Sequence, residues 1–263
     1  MRGGEDGMLT IAGLWVYPVK SMGGVAVERA AILPEGSLQG DREWLVVDEA
    51  GAMLWQGDLP RMALLRVEYA PDRLAVRRPD GVAVEVDPRH GGDACVVTQY
   101  RNGFEGVDAG AEAAAFLSAW LDRPVRLVRI GGQAHRWPKV NPLHVLSDRS
   151  IEALNARLGA AGDVALPTAR FRPNVLLAGA DRPFIEETMA VIDFGEARIR
   201  LREPATRCEL VNISLVDASR ERQPLPLIAR MSRERPSARK GSFGVYSQAE
   251  GPELVRGMTA PAP

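Results

Sequence analysis

The sequence is poor in cysteine, with only Cys95 and Cys208 among 263 residues. Small secreted folds held by disulfides need more cysteines, so that class is excluded. The favoured interpretation is two reduced thiols in a cytoplasmic protein, and a single bridge between them is the alternative. A zinc ribbon or a cysteine-ligated iron–sulfur cluster also requires more cysteines than the chain contains.

The sequence also lacks long apolar runs and an excess of one charge, and it has few aromatic residues. No stretch approaches the roughly 20 apolar residues that cross a bilayer, and the polar, glycine-rich residues 1–7 predict a disordered tail. Aromatic residues make up 6% and the formal net charge is -1. These values disfavour a nucleic-acid partner, although a local basic patch is compatible with them. We therefore predict neither a membrane nor a nucleic-acid partner.

Short segments rich in β-branched and aromatic residues dominate the first hundred positions. Gly, Pro and Asp residues separate them, which is typical of strands joined by turns. Because such strands are short and closely spaced, we expect a barrel or a sandwich. The predicted strands cover residues 11–19, 26–33, 44–47, 62–69, 74–77, 82–86 and 95–97.

A helical period interrupts this pattern twice. Residues 111–121 predict a helix capped by Asp108, and Ser147 predicts the N-cap of a second helix that ends at Gly159. Between them, residues 131–142 are typical of a linker. Further predictions are strands at 125–130, 174–178, 189–193, 197–202 and 209–214, a helix near 225–231 and a frayed tail after Arg256. The fold class is thus mainly β with a few helices (α+β), with an N-terminal β-barrel-like domain over 8–130 and a second domain over 131–263.

Two polar clusters lie in the first half of the chain. The segment Tyr17–Ser21 ends in a lysine and a serine, and an ammonium beside a hydroxyl can bind a phosphate. The segment Gly40–Arg42 joins turn residues to a guanidinium that can grip an anion through two hydrogen bonds. Each cluster alone has a simpler explanation, namely a strand or turn that ends in solvated polar residues.

Two further clusters lie in the second half. In Arg170–Asn174, two arginines and an asparagine surround a proline that stiffens the backbone, and such a set can bind a phosphate and a polar heterocycle together. In Pro204–Cys208, Arg207 is available to favour the thiolate of Cys208, the form that acts as a nucleophile or metal ligand. An ordinary strand entry and a buried structural thiol are the simpler alternatives.

These four clusters, in this order and spacing, resemble the MOSC family (molybdenum cofactor sulfurase C-terminal domain proteins). The likeness is to the branch with an N-terminal β-barrel domain, which includes the amidoxime-reducing components and the YcbX-like proteins. It runs from about Leu9 to Val255, with support from Leu146–Ser147 and from Phe243–Tyr246, which is similar to the family's last core strand. The resemblance implies that residues 131–263 form a MOSC β-barrel domain.

The resemblance implies a molybdenum-cofactor site in which Cys208 is both the metal ligand and the catalytic residue. The residues implied to hold the pterin and its phosphate are Lys20, Ser21, Arg42, Arg172 and Asn174, with Ser147, Thr206 and the adjacent Arg207 as weaker candidates. The family also has a weak association with pyridoxal phosphate binding. The implied activity is the reduction of N-hydroxylated small molecules, such as hydroxylamines or amidoximes, by a metal that cycles through two electrons.

Three departures from the family pattern bear on these implications. Family members often have a cysteine where this chain has Ala205, yet Cys208 is kept, so we expect the site to survive. The run 139–141 lacks the acidic residue that many relatives carry before the proline matching Pro142, and we expect an altered substrate pocket. The YcbX-like proteins append a ferredoxin-type domain, and this chain ends at Pro263 without one, so we expect electrons from a separate protein.

Two other functions stay open at the level of sequence. Cys208 beside a cation also suits a carrier that holds sulfur as a persulfide. A non-catalytic barrel that binds a partner or an oligonucleotide is the third hypothesis, and the low aromatic content disfavours its oligonucleotide form.

Overall fold

A computed structural model describes residues 7–88, 92–135 and 140–263, so most of the predicted tail and part of the predicted linker lie outside the described residues. The described chain is mainly β with three α-helices, which confirms the predicted fold class. The first elements are β1 (Met8–Val16), β2 (Val25–Ala26), β3 (Arg29–Ala31), β4 (Trp44–Val47), β5 (Met53–Leu54), β6 (Arg66–Ala70), β7 (Arg73–Arg77), β8 (Ala83–Val86), β9 (Ala94–Gln99), β10 (Asn102–Asp108), α1 (Ala111–Leu121) and β11 (Arg126–Arg129). The later elements are β12 (Leu143–Ser147), α2 (Asp148–Ala160), β13 (Val175–Ala178), β14 (Val191–Asp193), β15 (Arg198–Thr206), α3 (Leu225–Ser232), β16 (Ser242–Glu250), β17 (Glu253–Val255) and β18 (Thr259–Pro261).

The largest sheet has the strand order β14-β15-β16-β12-β13-β1-β18, with β2 paired to β1. The first strand, β1, pairs antiparallel with both β13 and β18. Its apolar side chains, such as Ile11 and Leu14, join a core with Val145, Val175 and Ile199 from the later strands. The predicted boundary after residue 130 stays a prediction, and β13 and β18, which pair with β1, lie on the opposite side of it from β1.

A second sheet has the order β5-β4-β11-β10-β9. Its edges approach each other through a bridge between Ala52 and Thr98, which gives it the curvature of a small barrel. The three-stranded sheet β6-β7-β8 and helix α1 pack against it, and Met22, Trp44 and Leu117 share their apolar core.

Helices α2 and α3 cover the far side of the large sheet with a separate apolar cluster that includes Leu154, Met231 and Phe243. The hydroxyl of Ser147 accepts a hydrogen bond from the Ser150 amide at 3.2 Å, so the predicted N-cap of α2 is confirmed. Among the described residues, no helix combines the length and apolar character of a bilayer-crossing segment.

Several predicted elements are wrong in ways that the packing explains. The start of the predicted strand 62–69 is a 3-10 helix, Pro60–Leu64, because the proline at its first position favours a helical turn. The predicted strand 209–214 begins as the 3-10 helix Glu209–Asn212. The predicted cap Asp108 accepts a hydrogen bond from the Gly110 amide at 2.6 Å instead, and Gly110 itself is the N-cap of α1.

The C-terminal tail, three strands and the linker also differ from the sequence-based predictions. The chain after Arg256 is not frayed, because β18 gains backbone hydrogen bonds by pairing with Met8–Thr10. Strands β5, β10 and β12 were not predicted, and the last is buried at every position, so it lacks the alternation that marks a half-exposed strand. The predicted linker opens with the 3-10 helix Gly131–His135.

Candidate functional site

A cavity of about 410 Å³ lies where the large sheet meets the N-terminal sheets, and we call it the Cys208 cavity. Seven of the residues singled out in the sequence line it: Lys20, Ser21, Arg42, Arg172, Thr206, Arg207 and Cys208. Five lining residues were not predicted as site residues: Trp55, Tyr100, His144, Leu210 and Tyr246. Segments separated by more than 200 positions therefore converge on one space.

The backbone at this cavity is unusually strained. Ser21, Arg42, Tyr100 and Arg172 have φ angles of 71°, 55°, 59° and 54°, in the left-handed region that favours glycine. They make up four of the seven non-glycine residues with that conformation in the described chain. Each costs on the order of 1 kcal/mol, and such strain concentrates at functional sites because it aims side chains that a relaxed backbone would not.

Asp41, whose side chain is fully buried, holds Arg42 in position. Its Oδ1 accepts hydrogen bonds from the Tyr17 amide at 2.8 Å and from Nδ2 of Asn174 at 3.1 Å, and its Oδ2 contacts the guanidinium of Arg42. The Oδ1 of Asn174 accepts a hydrogen bond from Nη1 of Arg42 at 3.2 Å and another from the His144 amide at 3.1 Å. Asn174 therefore does not line the cavity but holds Arg42 in it.

The ring of Tyr17 contacts two of the three cavity arginines, and the sequence did not mark Tyr17 as a site residue. The Cζ atoms of Arg42 and Arg172 lie 5.0 and 4.2 Å from its ring centroid. Its hydroxyl donates a hydrogen bond to the Pro173 carbonyl at 3.0 Å, and burial raises its pKa to about 12. A neutral aromatic ring between two cations lets them approach each other, since each is attracted to the ring face.

The cavity carries a surplus of positive charge. Burial, and then the charges of Arg42 and Arg172, lower the pKa of Lys20 to about 8, and burial lowers the pKa of Arg172 to about 10. Arg207 donates from Nη2 to the Phe171 carbonyl at 2.8 Å, while its buried Nε has no hydrogen-bond partner among the described atoms. Crowded, partly desolvated cations are stabilised by an anion, so the cavity is suited to an anionic ligand.

Cys208 places an exposed thiol in this positive environment. It follows the end of β15, where the pairing with β16 is irregular between Pro204 and Thr206, and the Arg207 amide is anchored to the Gly241 carbonyl at 2.8 Å. Both cysteines are free thiols, as expected. In the described part of the chain, no group of three or more His, Cys, Asp or Glu residues is placed to hold a metal ion.

Ser147, a weaker candidate in the sequence, lies elsewhere. Its hydroxyl caps α2 and hydrogen-bonds the Ser150 hydroxyl at 2.8 Å, beside the buried Glu186. His144 is buried, with Nε2 lying 3.0 Å from the Phe243 carbonyl. Burial and then the charge of Arg207 lower its pKa well below the usual range, so the ring facing the cavity is neutral. No pattern in the sequence pointed to Trp55 or Tyr100.

The comparison with known proteins agrees with this architecture. Residues 8–124 match the MOSC N-terminal beta barrel domain, and residues 89–257, more than half of the chain, match the MOSC domain. The human protein named mitochondrial amidoxime reducing component 2 is 28% identical over 92% of this chain and 79% of its own length. The molybdenum cofactor sulfurase of Anopheles gambiae is 29% identical over 90% of this chain but only 34% of its own length. The solved YUAD protein of Bacillus subtilis aligns with 96% of this chain and 93% of its own, at 12% identity and a TM-score of 0.40. Because the MOSC domain model covers more than half of the chain, the chain belongs to the MOSC family, with a MOSC N-terminal beta barrel domain and a MOSC domain.

Proposed function

We propose that this chain binds a molybdenum cofactor in the Cys208 cavity and reduces N-hydroxylated small molecules. The observation that carries the proposal is the convergence of four cationic side chains on one exposed thiol. Those side chains are Lys20, Arg42, Arg172 and Arg207. The names of the amidoxime-reducing and cofactor-sulfurase relatives agree with it.

The residues present fit such a group. The cofactor is an anion through its phosphate, and the cavity offers several guanidinium donors, including the unsatisfied Nε of Arg207. A soft thiolate at Cys208 suits molybdenum, and the cofactor's own sulfur atoms would supply further ligands. Lys20, Ser21, Arg42 and Arg172 would hold the pterin and phosphate, and Thr206 would line the same space.

When bound, the cofactor supplies a two-electron couple. The overall reaction breaks the N–O bond of the substrate, consumes two electrons and two protons, and yields the N–H product and water. The protein's part is to fix the anion through Arg42 and Arg172, which Asp41 and Tyr17 hold in place. We further propose that a separate redox protein delivers the two electrons that the reaction consumes.

The test compares two serine variants made in a host that produces the cofactor. We expect Cys208→Ser to lose bound molybdenum and at least a hundredfold of the reductase activity towards an amidoxime, because the metal loses its protein ligand. Cys95→Ser is the matched control and should retain both. Molybdenum content is measured by elemental analysis and pterin content by fluorescence after denaturation. Reductase activity is measured as the rate with a chemical electron donor. Full molybdenum content and full activity in Cys208→Ser would overturn the proposal.

A sulfur carrier is the second candidate, because Cys208 is an exposed thiol that lines a cavity together with four cationic side chains. Intact-mass spectrometry separates the two functions. A persulfide on Cys208 in protein that contains neither molybdenum nor pterin would favour the carrier.

A further inference from the structure

Three aromatic side chains line the Cys208 cavity: Trp55, Tyr100 and Tyr246. They come from the loop after β5, from the tip of the β9–β10 hairpin and from β16. The hydroxyl of Tyr246 is tied to the Thr206 carbonyl at 3.3 Å, whereas Tyr100 is 77% exposed. The ring of Tyr100 is therefore available to a ligand.

The backbone of Tyr100 is unfavourable for a tyrosine. Gln99 pairs with Asn102, so Tyr100 and Arg101 form a two-residue hairpin connection, and the φ of Tyr100 is 59°. Glycine or asparagine is preferred in that conformation, and tyrosine gains nothing there from burial. A large aromatic residue at this position is thus explained by what its ring contacts rather than by the fold.

One contact is already present. The ammonium of Lys20 lies 5.3 Å from the ring centroid of Tyr100. The ring therefore packs on a cation and lines the same cavity as the Cys208 thiol.

We propose that Tyr100 is a specificity-determining residue that stacks on a flat, aromatic face of the substrate and so selects aryl over alkyl N-hydroxylated compounds. This inference rests on the proposed reductase function and adds the substrate class. Aromatic rings prefer offset or edge contacts with other π systems, and a saturated ring of equal size cannot provide them.

The test uses two probes of similar size, benzamidoxime and cyclohexanecarboxamidoxime. Their dissociation constants are measured by calorimetry on molybdenum-loaded protein without an electron donor, and kcat and KM are then measured with one. The variants are Tyr100→Gly, which removes the ring and suits the left-handed backbone, and Tyr100→Phe, which keeps the ring. Val96→Ala, an exposed change on the same hairpin, is the matched control.

We expect the wild type to bind the phenyl probe about tenfold more tightly than the cyclohexyl probe. Tyr100→Gly should bring that ratio close to one by raising the KM for the phenyl probe, with kcat within about twofold and an unchanged or higher Tm. Tyr100→Phe and Val96→Ala should keep the wild-type ratio. A wild-type ratio near one, or a ratio that persists in Tyr100→Gly, would overturn the inference. Protein that binds with the expected ratio but reduces neither probe would instead contradict the proposed function.

Discussion

Each of the two cysteines lines a cavity, and the two cavities differ in charge and backbone conformation more than in size. The cavity at Cys95 is the larger, about 780 Å³ against about 410 Å³. The one cation among its described lining residues, Arg129, pairs with Glu43 at 3.2 Å. The Cys208 cavity gathers four cations and four left-handed non-glycine residues. Size alone would favour the cavity at Cys95, whereas unbalanced charge and strained backbone favour the cavity at Cys208, where we propose the functional site.

The comparison would fail if the arginines of the Cys208 cavity proved dispensable. Arg172→Ala should lower the molybdenum and pterin content of purified protein by about ten- to a hundredfold, because a charge-assisted contact to a desolvated anion is lost. Arg126→Ala, which removes the guanidinium that acts on the Cys95 thiol, is the control and should leave the content unchanged. Equal losses in both variants would show that general destabilisation is responsible.

The effect of the Lys20 charge on the free energy of unfolding gives a second test of the difference between the two cavities. The folded-state pKa of Lys20 is about 8, below its ordinary 10.5, because of burial and then the charges of Arg42 and Arg172, so keeping the ammonium charged there costs about 3 kcal/mol at pH 7. Cofactor-free Lys20→Met should therefore be more stable than the wild type by up to that amount. Between pH 8 and 10.5 the unfolded lysine binds more protons than the folded one, so wild-type stability rises with pH and the advantage of the variant shrinks.

Urea denaturation at pH 7 and at pH 10 measures this difference, with exposed Lys240→Met as the control. An advantage of Lys20→Met that grows with pH would contradict the sign of the pKa shift.

The smallest expected effect concerns the reactivity of the two thiols. Cys208 is exposed, whereas Cys95 is half-buried and desolvation raises its pKa. In cofactor-free protein, iodoacetamide should alkylate Cys208 about tenfold faster than Cys95 at pH 7.5. Peptide mapping of briefly treated protein gives the two rates, and faster labelling of Cys95 would reverse the assignment of the reactive cysteine.

Most of the cationic residues of the proposed site could be predicted from the sequence. They lie in short motifs whose residue types already indicate anion binding, such as Tyr17–Ser21 and Pro204–Cys208. Helix α1 was predicted over its full observed range, since its apolar period is clear. Strand β12 was missed because a strand buried on both faces shows no alternation.

Other parts of the site depend on long-range geometry. Tyr100 enters the cavity only because the β9–β10 hairpin points there, and its own neighbours give no signal of that. Ser147 was assigned to the cofactor by resemblance, yet its local role as a helix cap already accounts for its hydroxyl. The domain boundary, the electron donor and the cytoplasmic location stay predictions.

The pairing of β1 with β18 has a consequence for how the protein is made. β1 pairs with β13 and β18, which are synthesised much later. The N-terminal barrel elements can fold as they leave the ribosome, but pairings of such long sequence separation form slowly and late. The cavity draws residues from Lys20 to Tyr246, so it cannot form before Tyr246 has been synthesised. Under the proposed function a cofactor would bind only after that point, and until then the β13-facing edge of β1 has no partner strand.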